Sequence, residues 1–203
     1  MTKIKICGLS RACDIDFVNE ARPDYCGFIL NVPGSRRSIS IPLLLTLCSH
    51  LDRSIIPVGV FVNASKELLL PLLKEQVLGA VQLHGTETPD DIRALKEHCS
   101  VPIIKAFSIR SPEDIRGAEE SPADLILLDH GSGGTGKTFD WSLLSDIRRP
   151  YILAGGLDPG NLPKALQTLA PYGVDLSSGL ETNGYKDREK ILAAVAAVRR
   201  KNE

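Results

Sequence analysis

The chain has almost no surplus of charge. Its 24 Lys and Arg nearly balance 25 Asp and Glu, for a formal net charge of -1. That balance excludes a general electrostatic pull toward nucleic acid or an anionic membrane surface. An anionic ligand must instead be held by local charges and backbone N–H groups. Paired cysteines are also lacking. Cys7, Cys13, Cys26, Cys48 and Cys99 are odd in number and scattered, with no Cys-x-x-Cys pair and no histidine pair to complete a zinc pattern. Reduced thiols in a cytoplasmic protein are the simplest expectation. No apolar run approaches the ~18 residues needed to span a bilayer. The first residues carry a charged strand pattern rather than a basic stretch ahead of an apolar one, so no signal peptide is expected. Linkers and low-complexity tracts are missing as well. The 203 residues therefore read as one domain, 1–203, long enough to bury a real core.

What the chain does have is alternation. Short apolar, β-branched runs recur at Ile4–Cys7, Tyr25–Leu30, Pro57–Val62, Ala80–Leu83, Ile103–Phe107, Leu125–Asp129, Tyr151–Ala154 and Val174–Ser177. Continuous apolar runs of this length suit parallel strands buried on both faces. Helical patterns lie between them. Ala12–Ala21 is amphipathic, Pro42–Leu51 opens on a first-turn proline, and Ser65–Lys74 starts with a capping residue. Thr88-Pro89-Asp90-Asp91 and Ser111-Pro112-Glu113-Asp114 each read as cap, proline and acidic first turn. Asp140–Arg148 predicts a short helix, followed by Asn161–Leu169 and Asp187–Lys201. Eight strands, each followed by a helix, predict a compact (β/α)8 TIM barrel with short loops. A doubly wound open sheet is the alternative, since alternation alone also fits it.

In such a barrel the site lies at the carboxyl ends of the strands, which singles out the residues there. Cys7 ends the first strand and Asp129 the sixth. A thiol and a carboxyl facing one mouth can work as base and acid if their surroundings separate their pKa values. The plain alternative for Cys7 is a small buried apolar residue. Lys5 shares the strand face of Cys7 by the period of two. It can favour the thiolate, or it can pair with an acid inside the barrel. Gly155-Gly156 and Ser177-Ser178-Gly179 end the seventh and eighth strands, where small residues let backbone N–H groups approach a phosphate. Tight turns explain either segment singly, but the pair at adjacent strand ends less well. Arg36 and Arg37, in the loop after the second strand, are either solvated charges or a clamp for a carboxylate. His84 sits at a strand end without metal-ligand partners at useful spacing, so no metal site is expected. Gly131–Thr138 matches the Walker A pattern. It follows the sixth strand and Asp129, however, and precedes a poor helix, so it reads as a barrel loop able to close over a ligand.

Taken together these segments resemble the phosphoribosylanthranilate isomerases of tryptophan biosynthesis. The matching motifs are Lys5-Ile6-Cys7-Gly8-Leu9, Gly27-Phe28, Ser35-x-Arg37, Gly59–Asn63, Val81–Gly85, Lys105-Ala106-Phe107, Leu128-Asp129, Gly133–Trp141, Leu153–Leu157 and Gly173–Glu181. They run in order along nearly the whole chain, and the Walker-like stretch is itself part of the family pattern. One departure stands out. Where the family has Ser-Pro-Arg-Tyr-Val, this chain has Ser35-Arg36-Arg37-Ser38-Ile39. The resemblance implies an Amadori rearrangement of N-(5-phosphoribosyl)anthranilate to 1-(2-carboxyphenylamino)-1-deoxyribulose 5-phosphate, the third step from chorismate. It implies Cys7 as general base, Asp129 as general acid and Arg37 on the substrate carboxylate. Gly155, Gly156, Ser177, Ser178 and Gly179 would hold the phosphate. Lys5, His84 and Gly134 are further substrate-site candidates. No cofactor is implied, and the expected state is a monomer or weak homodimer with a small phosphorylated substrate as its partner. A related sugar-phosphate barrel, or a barrel that binds without catalysis, is the rival reading.

Overall fold

The computed structural model describes residues 1–129, 141–145 and 147–201. Eight strands form its centre: β1 Lys3–Cys7, β2 Tyr25–Leu30, β3 Ile56–Phe61, β4 Ala80–Leu83, β5 Ile103–Ser108, β6 Leu125–Asp129, β7 Tyr151–Leu153 and β8 Gly173–Leu176. Each pairs in parallel with the next, and β1 pairs with both β2 and β8. The sheet is therefore closed, which selects the barrel over the open doubly wound alternative. Among the described residues seven helices pack outside: α1 Ala12–Ala21, α2 Ile41–Ser49, α3 Lys66–Lys74, α4 Pro89–Lys96, α5 Pro112–Glu119, α6 Leu162–Leu169 and α7 Arg188–Lys201.

The helix starts follow local chemistry. At α4 the Thr88 hydroxyl accepts from the Asp91 N–H at 3.2 Å, and the Asp91 carboxylate accepts from the Thr88 N–H at 2.8 Å. Pro89 fills the first helical position, where no N–H is missed. Ser111 and Asp114 repeat the reciprocal cap at α5.

One expected helix is different. In the 140–148 stretch the described residues form a 3-10 turn, Trp141–Leu144. Pro150 lies just beyond and biases its predecessor away from helix, so too few residues remain to repay nucleation. The chain is stitched instead to the end of α5. Arg149 donates to the carbonyls of Ser121 at 2.9 Å and Ala123 at 2.8 Å, and the Arg148 N–H donates to Glu119 at 2.6 Å. Two small additions were not anticipated. Ser38–Ile39 forms a short strand against β2, and Glu181–Thr182 pairs with Tyr185–Lys186 as a hairpin after β8.

Alternation along each strand sorts the residues into two cores. Outward residues such as Ile4, Ile6, Phe28, Phe61, Val81 and Leu128 meet the helices in one large cluster. Inward residues Val58, Ala80, Ile104, Ala106, Leu127 and Ile152 fill the lower barrel. Continuing upward on the same face, Leu127 leads to Asp129, Ala80 to Gln82 and Lys5 to Cys7. The lower layers are thus apolar and the carboxyl-end rim is polar.

Phe28 is fully buried between β2 and the helices. Phe28→Ala is expected to lower unfolding free energy by about 3–5 kcal/mol. Leu45→Ala, at a side chain 40% exposed, should stay within about 0.5 kcal/mol. Urea denaturation midpoints of the two variants measure the contrast.

Candidate active site

A cavity of about 460 Å³ opens at the carboxyl ends of the strands. Cys7 and Asp129 both line it, and each is 6% exposed. Strand ends place them there: Cys7 closes β1 and Asp129 closes β6, each on the inward side. The volume lies within the ~300–1,000 Å³ of small-molecule sites.

The thiol sits above a buried ion pair. Lys5 Nζ lies 2.9 Å from Asp175 Oδ2, and the two residues are direct neighbours in the β1–β8 register. Lys5 thus pairs with an acid inside the barrel and also acts on the thiol, so the two sequence-based readings are not exclusive. Burial opposes the Lys5 charge, but Asp175 and Cys7 outweigh it and hold the ammonium firmly protonated. Burial pushes the Cys7 thiol up; Lys5 pulls it back without overcoming that, and Asp175 adds to the rise. Burial likewise pushes the Asp175 carboxyl up against Lys5 and Lys186, yet contact with a charged lysine keeps it the carboxylate partner. Asp175 Oδ1 has no hydrogen-bond partner among the described residues. Gly27, paired with Cys7 across β1–β2, makes room for this arrangement. A Cβ there would stand 2.7 Å from Cys7 Sγ and 2.9 Å from Lys5 Nζ.

Asp129 faces His84, whose Nε2 is 3.7 Å from Asp129 Oδ2. Gln82 Nε2 lies 2.9 Å from His84 Nδ1. Gln82 thus donates to Nδ1 of a neutral ring, which leaves the ring proton on Nε2, toward Asp129. Burial, with Lys5 and Lys105 nearby, lowers the His84 pKa to about 4 against a smaller pull from Glu87. Lys105 itself is committed elsewhere, to Glu87 at 2.9 Å and the Gly85 carbonyl at 2.7 Å.

Gly155 and Gly156, with φ of 88° and 64°, line the same cavity beside Ser177 and Ser178. The Ser177 hydroxyl donates to the Cys7 carbonyl at 3.0 Å. Gly179 packs against Leu157, where a Cβ would collide with the Leu157 carbonyl oxygen. Gly134 lies outside the described residues.

Arg36 and Arg37 also line the mouth. Both meet a carboxylate that was not singled out as a site residue in the sequence. Arg37 Nε and Nη2 donate to Glu181 at 2.6 and 3.0 Å, and Arg36 Nη2 donates at 2.5 Å. Buried Lys186 donates to the same carboxylate at 2.8 Å. Burial raises the Glu181 pKa, but Arg37 and Lys186 outweigh it and bring it down to about 2. Gly8 accommodates Arg37: a Cβ there would stand 2.6 Å from Arg37 Cδ. Membership in the Gly173–Glu181 motif was the available signal for Glu181; nothing local pointed to Lys186.

Fold and cavity together define a (β/α)8-barrel enzyme with its site at the carboxyl ends of the strands. The family model for N-(5'phosphoribosyl)anthranilate (PRA) isomerase matches residues 4–197. The N-(5'-phosphoribosyl)anthranilate isomerase of Endomicrobium trichonymphae is 45% identical, covering 98% of this chain and 99% of that one. The crystal structure of phosphoribosyl anthranilate isomerase from Thermotoga maritima superposes with a TM-score of 0.89 at 36% identity, covering 98% of this chain and 100% of that one. A second structure, a phosphoribosyl anthranilate isomerase in complex with reduced 1-(o-carboxyphenylamino)-1-deoxyribulose 5-phosphate, gives a TM-score of 0.87 at 34% identity, with 98% and 100% coverage. The chain belongs to the N-(5'-phosphoribosyl)anthranilate isomerase family.

His84 is expected to titrate at about 4 rather than the ordinary 6.5. The unfolded chain takes up that proton first. Stability from neutral His84 is therefore complete above pH 6.5 and is lost as pH falls toward 4. NMR titration of the imidazole, assigned with His84→Asn, checks the midpoint; a value near 6.5 would contradict the half-buried, cation-flanked setting.

Proposed function

We propose that this chain converts N-(5-phosphoribosyl)anthranilate to 1-(2-carboxyphenylamino)-1-deoxyribulose 5-phosphate in tryptophan biosynthesis. The observation that carries the reading is the meeting of Cys7 and Asp129 in one ligand-sized cavity, with Arg37 and the Gly155-Gly156 turn on its rim. Family membership supports it independently.

Asp129 acts as general acid. It gives its proton to the furanose ring oxygen, the C1′–O bond breaks, and the nitrogen lone pair closes to C1′ as a protonated imine. Cys7, as thiolate, then removes the C2′ proton. Those electrons form the C1′–C2′ double bond, and the imine π pair returns to nitrogen. The resulting enolamine tautomerises to the 2′-ketone. The protonated imine is the electron sink, so the rearrangement needs no net oxidant and no organic cofactor. Arg37 holds the anthranilate carboxylate. Gly155, Gly156, Ser177, Ser178 and Gly179 form the phosphate end, and His84 lines the same cavity beside Asp129. We place the enzyme in the cytoplasm, working on a small phosphorylated substrate, as a monomer or weak homodimer. The five unbridged thiols suit that compartment.

Positioned acid–base groups are worth about 10²- to 10⁴-fold each. Cys7→Ala and Asp129→Asn are therefore each expected to lower kcat by that order with unchanged circular dichroism. The assay follows loss of anthranilate fluorescence on turnover. Near-normal turnover by folded Cys7→Ala would remove thiolate base catalysis. Arg37→Ala is expected to act mainly through KM; an unchanged KM would transfer the carboxylate to Arg36.

A further inference from the structure

We infer that Glu181 is a positioning residue: it holds the Arg37 guanidinium so that one defined edge faces the substrate carboxylate. The inference rests on the reading above and deepens it. A guanidinium offers two edges suited to a carboxylate, Nε with Nη2 and Nη1 with Nη2. Glu181 occupies the first, bidentately, at 2.6 and 3.0 Å. The Nη1 group makes no hydrogen bond among the described residues, so the second edge is the one left for a ligand. Arg37 lines the cavity, and its stem lies over Gly8, next to Cys7.

Glu181 can do this because it is itself fixed. Its side chain is 5% exposed and receives Lys186 Nζ at 2.8 Å. Lys186, with a side chain 1% exposed, also donates to the Ser177 carbonyl at 3.0 Å. The Ser177 hydroxyl in turn donates to the Cys7 carbonyl at 3.0 Å. A continuous set of contacts thus ties the carboxylate clamp to the strand that carries the base. Because three cations surround one carboxylate, the mouth keeps positive charge for a substrate bearing both a phosphate and a carboxylate. Arg36 closes the solvent side of Glu181; its side chain is 58% exposed. Its neighbour Gly184 has no Cβ to block it.

The test compares two substrates on the full chain. One is phosphoribosylanthranilate; the other is its carboxylate-free counterpart, formed from aniline and ribose 5-phosphate. Glu181→Gln is expected to raise KM for the first on the order of tenfold, the worth of one charge-assisted contact. Its kcat should stay within about twofold. KM for the aniline compound should not move, and in an Arg37→Ala background Glu181→Gln should add nothing. Glu181→Asp, which keeps the charge but withdraws it by one methylene, should show the same split and serves if the Gln variant does not fold. Equal losses on both substrates, an effect that survives Arg37→Ala, or an unchanged KM would overturn the positioning role. A fall in KM would make Glu181 a competitor of the substrate and overturn it as well. Absence of wild-type turnover of phosphoribosylanthranilate would overturn the functional reading itself, and this inference with it.

Discussion

Lys5 and Asp175 face each other at 2.9 Å inside the barrel, across the seam where β8 returns to β1. A charge buried this deeply is tolerated when it is paired, and removing one partner strands the other. The pair therefore constrains everything around it. It requires β1 and β8 in the observed register, since a one-residue slip of either strand would turn its own member of the pair outward. It requires a residue without Cβ at position 27, because Lys5 Nζ and Cys7 Sγ fill that space. The Ser177 bond to the Cys7 carbonyl continues the same seam one layer higher. The depth and direction of the Cys7 thiol follow from these contacts.

The barrel wall converts that constraint into a site. Apolar side chains fill the lower interior, and the same alternation delivers Cys7, Gln82, Asp129 and Asp175 to the upper layers. Strands hold these groups more rigidly than loops can, and rigid placement is what acid–base chemistry demands. Arg37 comes from a connection instead. It is steadied by the hairpin through Glu181 and Lys186, so an element after β8 completes a wall begun after β2.

Much of this was legible in the residue order. The runs Tyr25–Leu30, Ala80–Leu83 and Leu125–Asp129 are strands with those bounds. Their apolar, β-branched character and the capping residues between them are local signals. Cys7, Asp129, Arg37 and the Gly155-Gly156 turn were readable as candidates because strand ends carry meaning once the barrel is inferred, and all of them line the cavity. The partners were not readable. Asp175 lies 170 positions from Lys5 and Glu181 lies 144 from Arg37. Such contacts depend on closure and register, which no local pattern encodes. The 140–148 segment failed for a related reason: helical spacing was present, but Pro150 and the Arg149 contacts to α5 decided the outcome.

The environment of Cys7 bears on the order of proton transfers in the proposed reaction. Burial favours the neutral thiol, and Lys5 and Lys186 do not reverse that. Lys5 is also shared, because its ammonium is already engaged by Asp175. Added positive charge close by would favour the thiolate. Ring opening creates that charge as the protonated imine, next to the carbon whose proton must leave. On this reasoning the acid step at Asp129 comes first and prepares the base step. Asp175 acts in the opposite direction, since its charge adds to the rise of the thiol. A stronger cation beneath Cys7 would favour a standing thiolate, more nucleophilic and more exposed to oxidation, whereas the proposed reaction needs it only after the ring has opened.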